Sequence, residues 1–75
     1  MNGNELRAHM ARHGDNSQTL AKALNLSLSA FSMKINGKRN FTQREIAFIK
    51  KRYDLTPDEI DLIFFSLIFF DFEVS

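Results

Sequence analysis

The sequence contains no cysteine and no tryptophan, and its single proline is Pro57. Without cysteine the chain has neither a disulfide nor a thiolate ligand for zinc, so neither device stabilises it. Its 75 residues suffice for one domain. A domain of this size buries only a limited core, and sharing a core with a partner chain is one way to become stable.

Long apolar runs are also lacking. The most apolar segment, residues 62–70, is interrupted by Ser66 and is much shorter than the about 20 residues that a membrane-spanning helix needs. The first 14 residues are polar and have no central apolar run of the kind found in a signal peptide. We therefore expect a soluble, cytoplasmic protein that has no membrane partner.

Basic residues are absent after Arg52. All ten Lys and Arg lie up to that position, where only three acids oppose them, so residues 1–53 carry a net charge of +7. Residues 54–75 contain six acids and no base, a net charge of −6. This asymmetry is typical of a body that binds a polyanion and of a tail that is kept away from it.

Motifs for catalysis and for metal binding are missing as well. The chain has no glycine-rich phosphate loop, no nucleophile elbow and no acid pair, so we expect no enzyme, no cofactor and no small-molecule ligand. His9 and His13 have a helical spacing that can bind zinc, and Glu5 lies one turn earlier. No cysteine or other fitting carboxylate completes such a site, and we expect no metal.

Helix signals dominate what is present, and they predict an all-α fold of four or five helices. Thr42 with Glu45 and Thr56 with Glu59 form two capping boxes, and Asp15 with Gln18 resembles a third. The predicted helices run over residues 4–13, from 15 or 16 to 24, from 27 or 29 to 35, and onward from 42 and 56. Gly14, Asn25 and the Asn36-Gly37 pair mark the turns between them.

The last ten residues have a pattern of their own. Leu-Ile-Phe-Phe-Ser at 62–66 is almost repeated at 67–71, and a helix through both copies would be apolar on every side. From Ile68 apolar and polar residues alternate, which is typical of a short strand that needs a partner. We expect residues 1–65 to form the domain and residues 66–75 to be a dimerisation tail, paired either as a strand or as a helical extension. The predicted interface residues are Phe65, Leu67, Ile68, Phe69, Phe70, Phe72 and Val74.

Residues 17–37 have the spacing of a helix-turn-helix. The small side chain of Ala21 allows two helices to cross closely, Asn25 makes the turn, and Phe31 packs the second helix back on the first. In this arrangement the second helix projects outward and can enter a DNA major groove.

Over about residues 4–65 the chain resembles the Cro and repressor class of small phage and prophage regulators. The resemblance is carried by Leu20-Ala21, by the run Phe-Ser-Met-Lys-Ile-Asn-Gly-Lys-Arg at 31–39, and by the capped helix that follows Thr42. It implies a helix-turn-helix domain that binds double-stranded DNA as a homodimer, at an inverted-repeat operator, and regulates transcription. Lys34 stands where that class usually has an apolar residue.

The base-reading positions of this class fall at the start of the third helix, and a helical wheel places one further serine on the same outward side. The predicted base-reading residues are Ser27, Leu28, Ser29, Ser32 and Met33. None of them makes the bidentate contacts of Arg, Gln or Asn, so we expect hydroxyl contacts, apolar contacts with thymine methyl groups, and readout of DNA shape. Leu28 and Met33 have the alternative of packing within the protein.

Phosphate contacts are expected mainly from the loop after the third helix and from the start of the fourth. The predicted phosphate-contacting residues are Ser17, Gln18, Lys34, Asn36, Lys38, Arg39, Asn40 and Arg44. The basic run at 50–52 complements the dipole at a helix C-terminus, and we interpret it as a solvated helix end.

A second hypothesis is a helix-turn-helix module that binds only protein, such as an antitoxin or the partner of a regulator. Its docking surface would be the apolar tail. The basic charge of residues 1–53 and the Lys38-Arg39 pair favour DNA as the partner.

Overall fold

The computed structural model of this protein describes residues 2–65, and it is all-helical in that range. Five α-helices follow one another: α1 (Gly3–Arg12), α2 (Ser17–Ala23), α3 (Leu28–Ile35), α4 (Gln43–Tyr53) and α5 (Pro57–Phe64). The predicted all-α class is confirmed for these residues. The tail at 66–75, predicted as a strand or a helical extension, lies outside the described residues. None of the five helices is long and apolar enough to cross a membrane.

Each helix begins after a polar side chain that accepts a hydrogen bond from the first turn. These capping residues are Asn2, Asn16, Ser27, Thr42 and Thr56. The two predicted threonine capping boxes are confirmed, with the backbone N–H of Thr42 donating to Glu45 at 2.9 Å and that of Thr56 to Glu59 at 2.8 Å.

The capping box of α2 differs from the prediction. It pairs Asn16 with Thr19, and not Asp15 with Gln18: the Thr19 N–H donates to the Asn16 side chain at 2.9 Å, and the Asn16 N–H donates to the Thr19 hydroxyl at 2.8 Å. Asp15 does not act as the cap because its carboxylate accepts hydrogen bonds from Arg52 and Tyr53, far along the chain.

The turn between α2 and α3 has the predicted geometry. Asn25 has a φ of 60°, in the left-handed region that a short polar side chain tolerates. The N–H of Leu26 then donates to the carbonyl of Ala21 at 2.9 Å, which closes the end of α2. The turn therefore carries the chain directly into the Ser27 cap of α3.

The core lies between the helices and holds α3 from one side. Its buried apolar residues are Leu6, Met10, Leu20, Ala21, Phe31, Ile35, Phe41, Ile49, Tyr53, Leu55 and Ile63. The Phe31 and Phe41 rings pack edge to face with 6.1 Å between their centroids, and the Phe41 and Phe64 rings pack in the same way with 5.8 Å between their centroids. Contact between helices is densest for α2 with α3 and for α1 with α5. Because Phe31 and Ile35 point inward, the opposite side of α3 is left to solvent.

A close backbone approach joins α1 to α3. Gly3 lies so near the end of α3 that a Cβ atom at this position would overlap the carbonyl oxygen of Ile35. The N–H of Asn2 also donates to the carbonyl of Ile63 at 2.6 Å, so the start of α1 is held against α5 as well. The φ of Gly3 is not in the left-handed region, so its backbone conformation does not require glycine. Glycine is required because there is no space for a Cβ atom.

Gly3→Ala is expected to lower the free energy of unfolding by about 1–2 kcal/mol, because the added methyl group forces α1 away from α3. Urea denaturation of the variant and of Asn4→Ala, an exposed neighbour in the same helix, measures the difference. A Gly3→Ala protein as stable as the Asn4→Ala control would contradict the close approach.

Candidate nucleic-acid interface

The solvent side of α3 carries the predicted base-reading residues. Ser27 caps the helix, with its Oγ accepting from the Ala30 N–H at 3.0 Å. Ser27, Ser29 and Ser32 are exposed, whereas Met33 is half-buried. Four of the five predicted residues, Ser27, Leu28, Ser29 and Ser32, therefore lie at the surface, along the first and second turns of one short helix.

Leu28 is the most informative member of this group. Its side chain is 47% exposed, so it contributes little to the core. It borders a shallow depression between α2 and α3 that Gln18 and Lys22 also line. An exposed leucine beside three serines provides an apolar contact point on an otherwise polar face, as contact with a thymine methyl group requires.

The loop after α3 places a group of basic and amide side chains next to this face. The backbone N–H groups of Lys38 and Arg39 both donate to the carbonyl of Met33, at 2.9 and 3.2 Å, so the loop folds back onto the end of α3. Lys38, Arg39 and Asn40 are exposed, and so is Arg44 in the first turn of α4. Within residues 2–65 none of these three cations forms an ion pair.

Lys34 is placed differently from the other basic residues predicted to contact phosphate. Its side chain is buried, and its Nζ lies 2.7 Å from Glu45 Oε1. Burial raises the pKa of Glu45, but the hydrogen bonds from Lys34 and from the Thr42 N–H outweigh burial and leave this pKa below its ordinary value. The pair joins α3 to the capping box of α4. Because the charge of Lys34 is already compensated by Glu45, Lys34 is no longer a candidate phosphate contact.

Asn36 is also engaged within the protein. Its Oδ1 accepts from Arg7 Nη2 at 3.0 Å, and its Nδ2 donates to Ser32 Oγ at 3.3 Å. Arg7 was not among the predicted site residues. Sequence spacing contains no signal for it, because the contact depends on how closely Gly3 lets α1 approach the end of α3.

The remaining predicted phosphate contacts lie at the start of α2. Gln18 is exposed and Ser17 is half-buried, both in the first turn of that helix. Gln18 lines the same depression as Leu28, which brings it to the edge of the α3 face.

The basic run at the end of α4 is divided between two roles. Lys50 and Lys51 are exposed, in agreement with a solvated helix end. Arg52, by contrast, forms a bidentate pair with Asp15, from Nε to Oδ2 at 2.8 Å and from Nη2 to Oδ1 at 3.0 Å. These hydrogen bonds hold the pKa of Asp15 well below its usual range, although burial alone would raise it. Arg52 therefore belongs to the scaffold.

The two histidines are held by different partners. His9 is buried, with Nε2 lying 3.5 Å from a Glu59 carboxylate oxygen on α5, and the His13 ring lies 4.9 Å from that of Tyr53. In the part of the chain that the structure describes, no three side chains are grouped to hold a metal ion.

Besides Leu28, three large apolar side chains are exposed within residues 2–65. They are Phe48 on α4 at 40% exposure, Leu62 on α5 at 47%, and Phe65 just after α5 at 37%. Phe65 is one of the predicted dimerisation residues. The other six, Leu67, Ile68, Phe69, Phe70, Phe72 and Val74, lie outside the described residues.

Comparison of the chain with protein-family models, with curated proteins and with solved structures gave no match.

Proposed function

We propose that this protein is a sequence-specific DNA-binding transcriptional regulator of the Cro and repressor type that acts as a homodimer. The observation that supports it most directly is the exposed side of α3, with its serines and Leu28, directly beside Lys38 and Arg39, which are free of ion pairs within residues 2–65. A polar readout surface flanked by available positive charge is the arrangement that recognition of a DNA groove requires.

In this proposal α3 lies in a major groove and the loop after it contacts the phosphates. The serine hydroxyls reach base edges, and Leu28 contacts a thymine methyl group. Lys38, Arg39, Asn40 and Arg44 fix the register of the helix along the backbone, with Gln18 and Ser17 on the other side of the groove. Two-fold symmetry then calls for an inverted repeat with half-sites one helical turn, about 34 Å, apart.

DNA binding by this surface is testable through its salt dependence. The protein is titrated onto a fluorescent duplex of random sequence at a series of salt concentrations, and the anisotropy is recorded. Because bound cations release counterions from DNA, the logarithm of the affinity is expected to fall linearly with the logarithm of the salt concentration. An affinity that does not change with salt would contradict the proposal.

Dimerisation through the tail is a separate part of the proposal. Leu62 and Phe65 are exposed at the end of the described chain, directly before the apolar residues of 66–75. Apolar residues that are exposed beside a further apolar stretch of the sequence favour an interaction site, and a second copy of the chain is the simplest partner.

Deletion of residues 66–75 is expected to halve the sedimenting mass, from that of a dimer to that of a monomer, and to weaken operator binding. Analytical ultracentrifugation measures the mass, and circular dichroism checks that the helices persist. A truncated protein that stays dimeric would place the interface elsewhere.

The exposed apolar residues also favour one second candidate, a module that binds only protein. Phe48, Leu62 and Phe65 would then form the docking surface for an antitoxin or a regulator partner. The two candidates differ in the role of the α3 loop, because a protein-binding module that uses α4 and α5 does not need Lys38 and Arg39.

A further inference from the structure

Three side chains, one from α1, one from α3 and one from the residue that caps the end of α3, form a series of hydrogen bonds that ends on the proposed DNA-binding face. Resting on the proposed function, we propose that Arg7 and Asn36 fix the hydrogen-bond polarity of Ser32, so that Ser32 donates to an acceptor atom on a base edge. Arg7 and Asn36 are then positioning residues, and Ser32 is the residue that determines specificity.

The hydrogen bond between Arg7 and Asn36 determines which atom donates and which accepts in the bond between Asn36 and Ser32. A guanidinium group only donates hydrogen bonds, so the atom of Asn36 that faces Arg7 Nη2 at 3.0 Å has to be the amide oxygen. The orientation of the amide is thereby fixed, and its Nδ2 faces Ser32 Oγ at 3.3 Å. The Ser32 oxygen is therefore the acceptor in the second link.

The hydroxyl hydrogen of Ser32 is left for a partner outside the domain. Its oxygen accepts from Asn36, and within residues 2–65 the Ser32 hydroxyl donates to no protein acceptor. Ser32 is exposed on the solvent side of α3, one helical turn beyond Leu28. A hydroxyl held in this way presents a donor to whatever lies against α3.

The base edges in the major groove respond differently to a donor. Guanine offers O6 and N7, thymine offers O4 and adenine offers N7 as acceptors, whereas cytosine presents only its N4 amino group, a donor. Ser32 is therefore expected to disfavour cytosine at one position of each half-site. One neutral hydrogen bond corresponds to roughly threefold to tenfold discrimination.

Asn36→Asp is expected to reverse the direction of the hydrogen bond with Ser32 while keeping the hydrogen bonds among the three side chains. The new carboxylate still accepts from Arg7, but it has no hydrogen to donate, so the Ser32 hydroxyl has to turn and donate to it. Ser32 then presents only lone pairs to the groove, and the favoured bases become those with an amino group, cytosine and adenine. The added negative charge weakens binding to all sequences, and the relative base frequencies separate that effect from polarity.

The test is selection from random-sequence duplex DNA with the full chain, followed by sequencing. In sequences selected by the wild type, the frequency of cytosine at one position of each half-site is expected to be roughly threefold to tenfold lower than that of the other bases. Ser32→Ala is expected to lose this preference, and Asn36→Asp to shift it toward cytosine and adenine at the same position. Arg7→Met should weaken the preference and Arg7→Lys should retain it, because lysine also only donates. Arg12→Met, at an exposed arginine of the same helix, is the matched control and should resemble the wild type.

The outcomes separate this inference from the function on which it rests. If the wild type enriches an inverted repeat but Ser32→Ala and Asn36→Asp give unchanged base frequencies at every position, the polarity of Ser32 is refuted and the DNA-binding function stands. If the folded wild type enriches no sequence, the proposed function and this inference fail together. A loss of base preference at one position alone is a result that a general destabilisation of the domain would not produce.

Discussion

Replacing Lys38 and Arg39 together by glutamine is expected to weaken DNA binding about 100-fold at ~0.1 M salt. The slope of the logarithm of the affinity against the logarithm of the salt concentration should become less steep by about 2, which corresponds to the loss of two phosphate contacts. Both side chains are exposed beside α3, and neither has an ion pair within residues 2–65. Each lost contact forfeits the release of about one counterion, which at this salt concentration corresponds to roughly one factor of ten. Anisotropy titrations over a range of salt concentrations measure both quantities.

The matched control is the pair Lys50→Gln and Lys51→Gln, which changes the net charge equally. These lysines are exposed at the far end of α4, about two helical turns beyond the end that contacts α3. We expect this control to weaken binding less than fivefold, since only the general attraction of the domain for DNA changes. Equal losses in both double variants would mean that the basic charge acts diffusely and that the loop is not the contact site.

Asp15→Asn is expected to lower the free energy of unfolding by about 2–3 kcal/mol. The Asp15 side chain is 9% exposed and accepts four hydrogen bonds, two from Arg52, one from the Tyr53 hydroxyl and one from the Thr19 hydroxyl. An amide cannot accept the bidentate pair and leaves Arg52 without its counter-charge. Because the Arg52 side chain is 34% exposed, solvent keeps the loss below that of a fully buried ion pair.

Urea denaturation at pH 7 measures this loss, and Asp54→Asn provides the control. Asp54 has a φ of 52° and is exposed, and asparagine tolerates the left-handed conformation equally well. The control removes the same charge without breaking the network, and a change of less than about 0.5 kcal/mol is expected. Equal stabilities of the two variants would show that the network contributes nothing.

The same network predicts how stability depends on pH. Hydrogen bonds from Arg52 hold the pKa of Asp15 well below its usual range, so its contribution is present above the ordinary aspartate value, about 4, and is lost as the pH falls toward the folded-state pKa. The difference between wild type and Asp15→Asn should therefore be constant from pH 7 to about 5 and shrink below about 4. Burial and the bond to Asp15 raise the pKa of Tyr53, so stability is also expected to decline above about pH 10.

The parts of the fold that could be predicted are those that depend on residues close to one another in the sequence. The starts of α4 and α5 depend on Thr42 and Thr56 and on a glutamate three residues later, and both were confirmed. The turn at Asn25 was likewise predicted, because it requires only a residue that tolerates a positive φ. The cap of α2 could not be found in this way, since Asp15 is used by Arg52, 37 residues away.

Two features of the candidate site depended on contacts between distant residues. Lys34 looks from its position like a phosphate contact, but the fold buries it against Glu45, a residue that also closes a capping box. Arg7 reaches Asn36 only because Gly3 allows α1 to approach α3 so closely. In both cases the local sequence is compatible with several partners, and tertiary packing selects one of them.

Selection of random-sequence duplex DNA with the purified wild-type protein at two salt concentrations shows whether α3 and its loop read a DNA sequence in a two-fold arrangement. We expect an enriched inverted repeat with half-sites about one helical turn apart and a yield that falls steeply at the higher salt concentration. If protein that circular dichroism shows to be helical enriches no sequence, α3 does not read DNA, and the module that binds only protein is favoured.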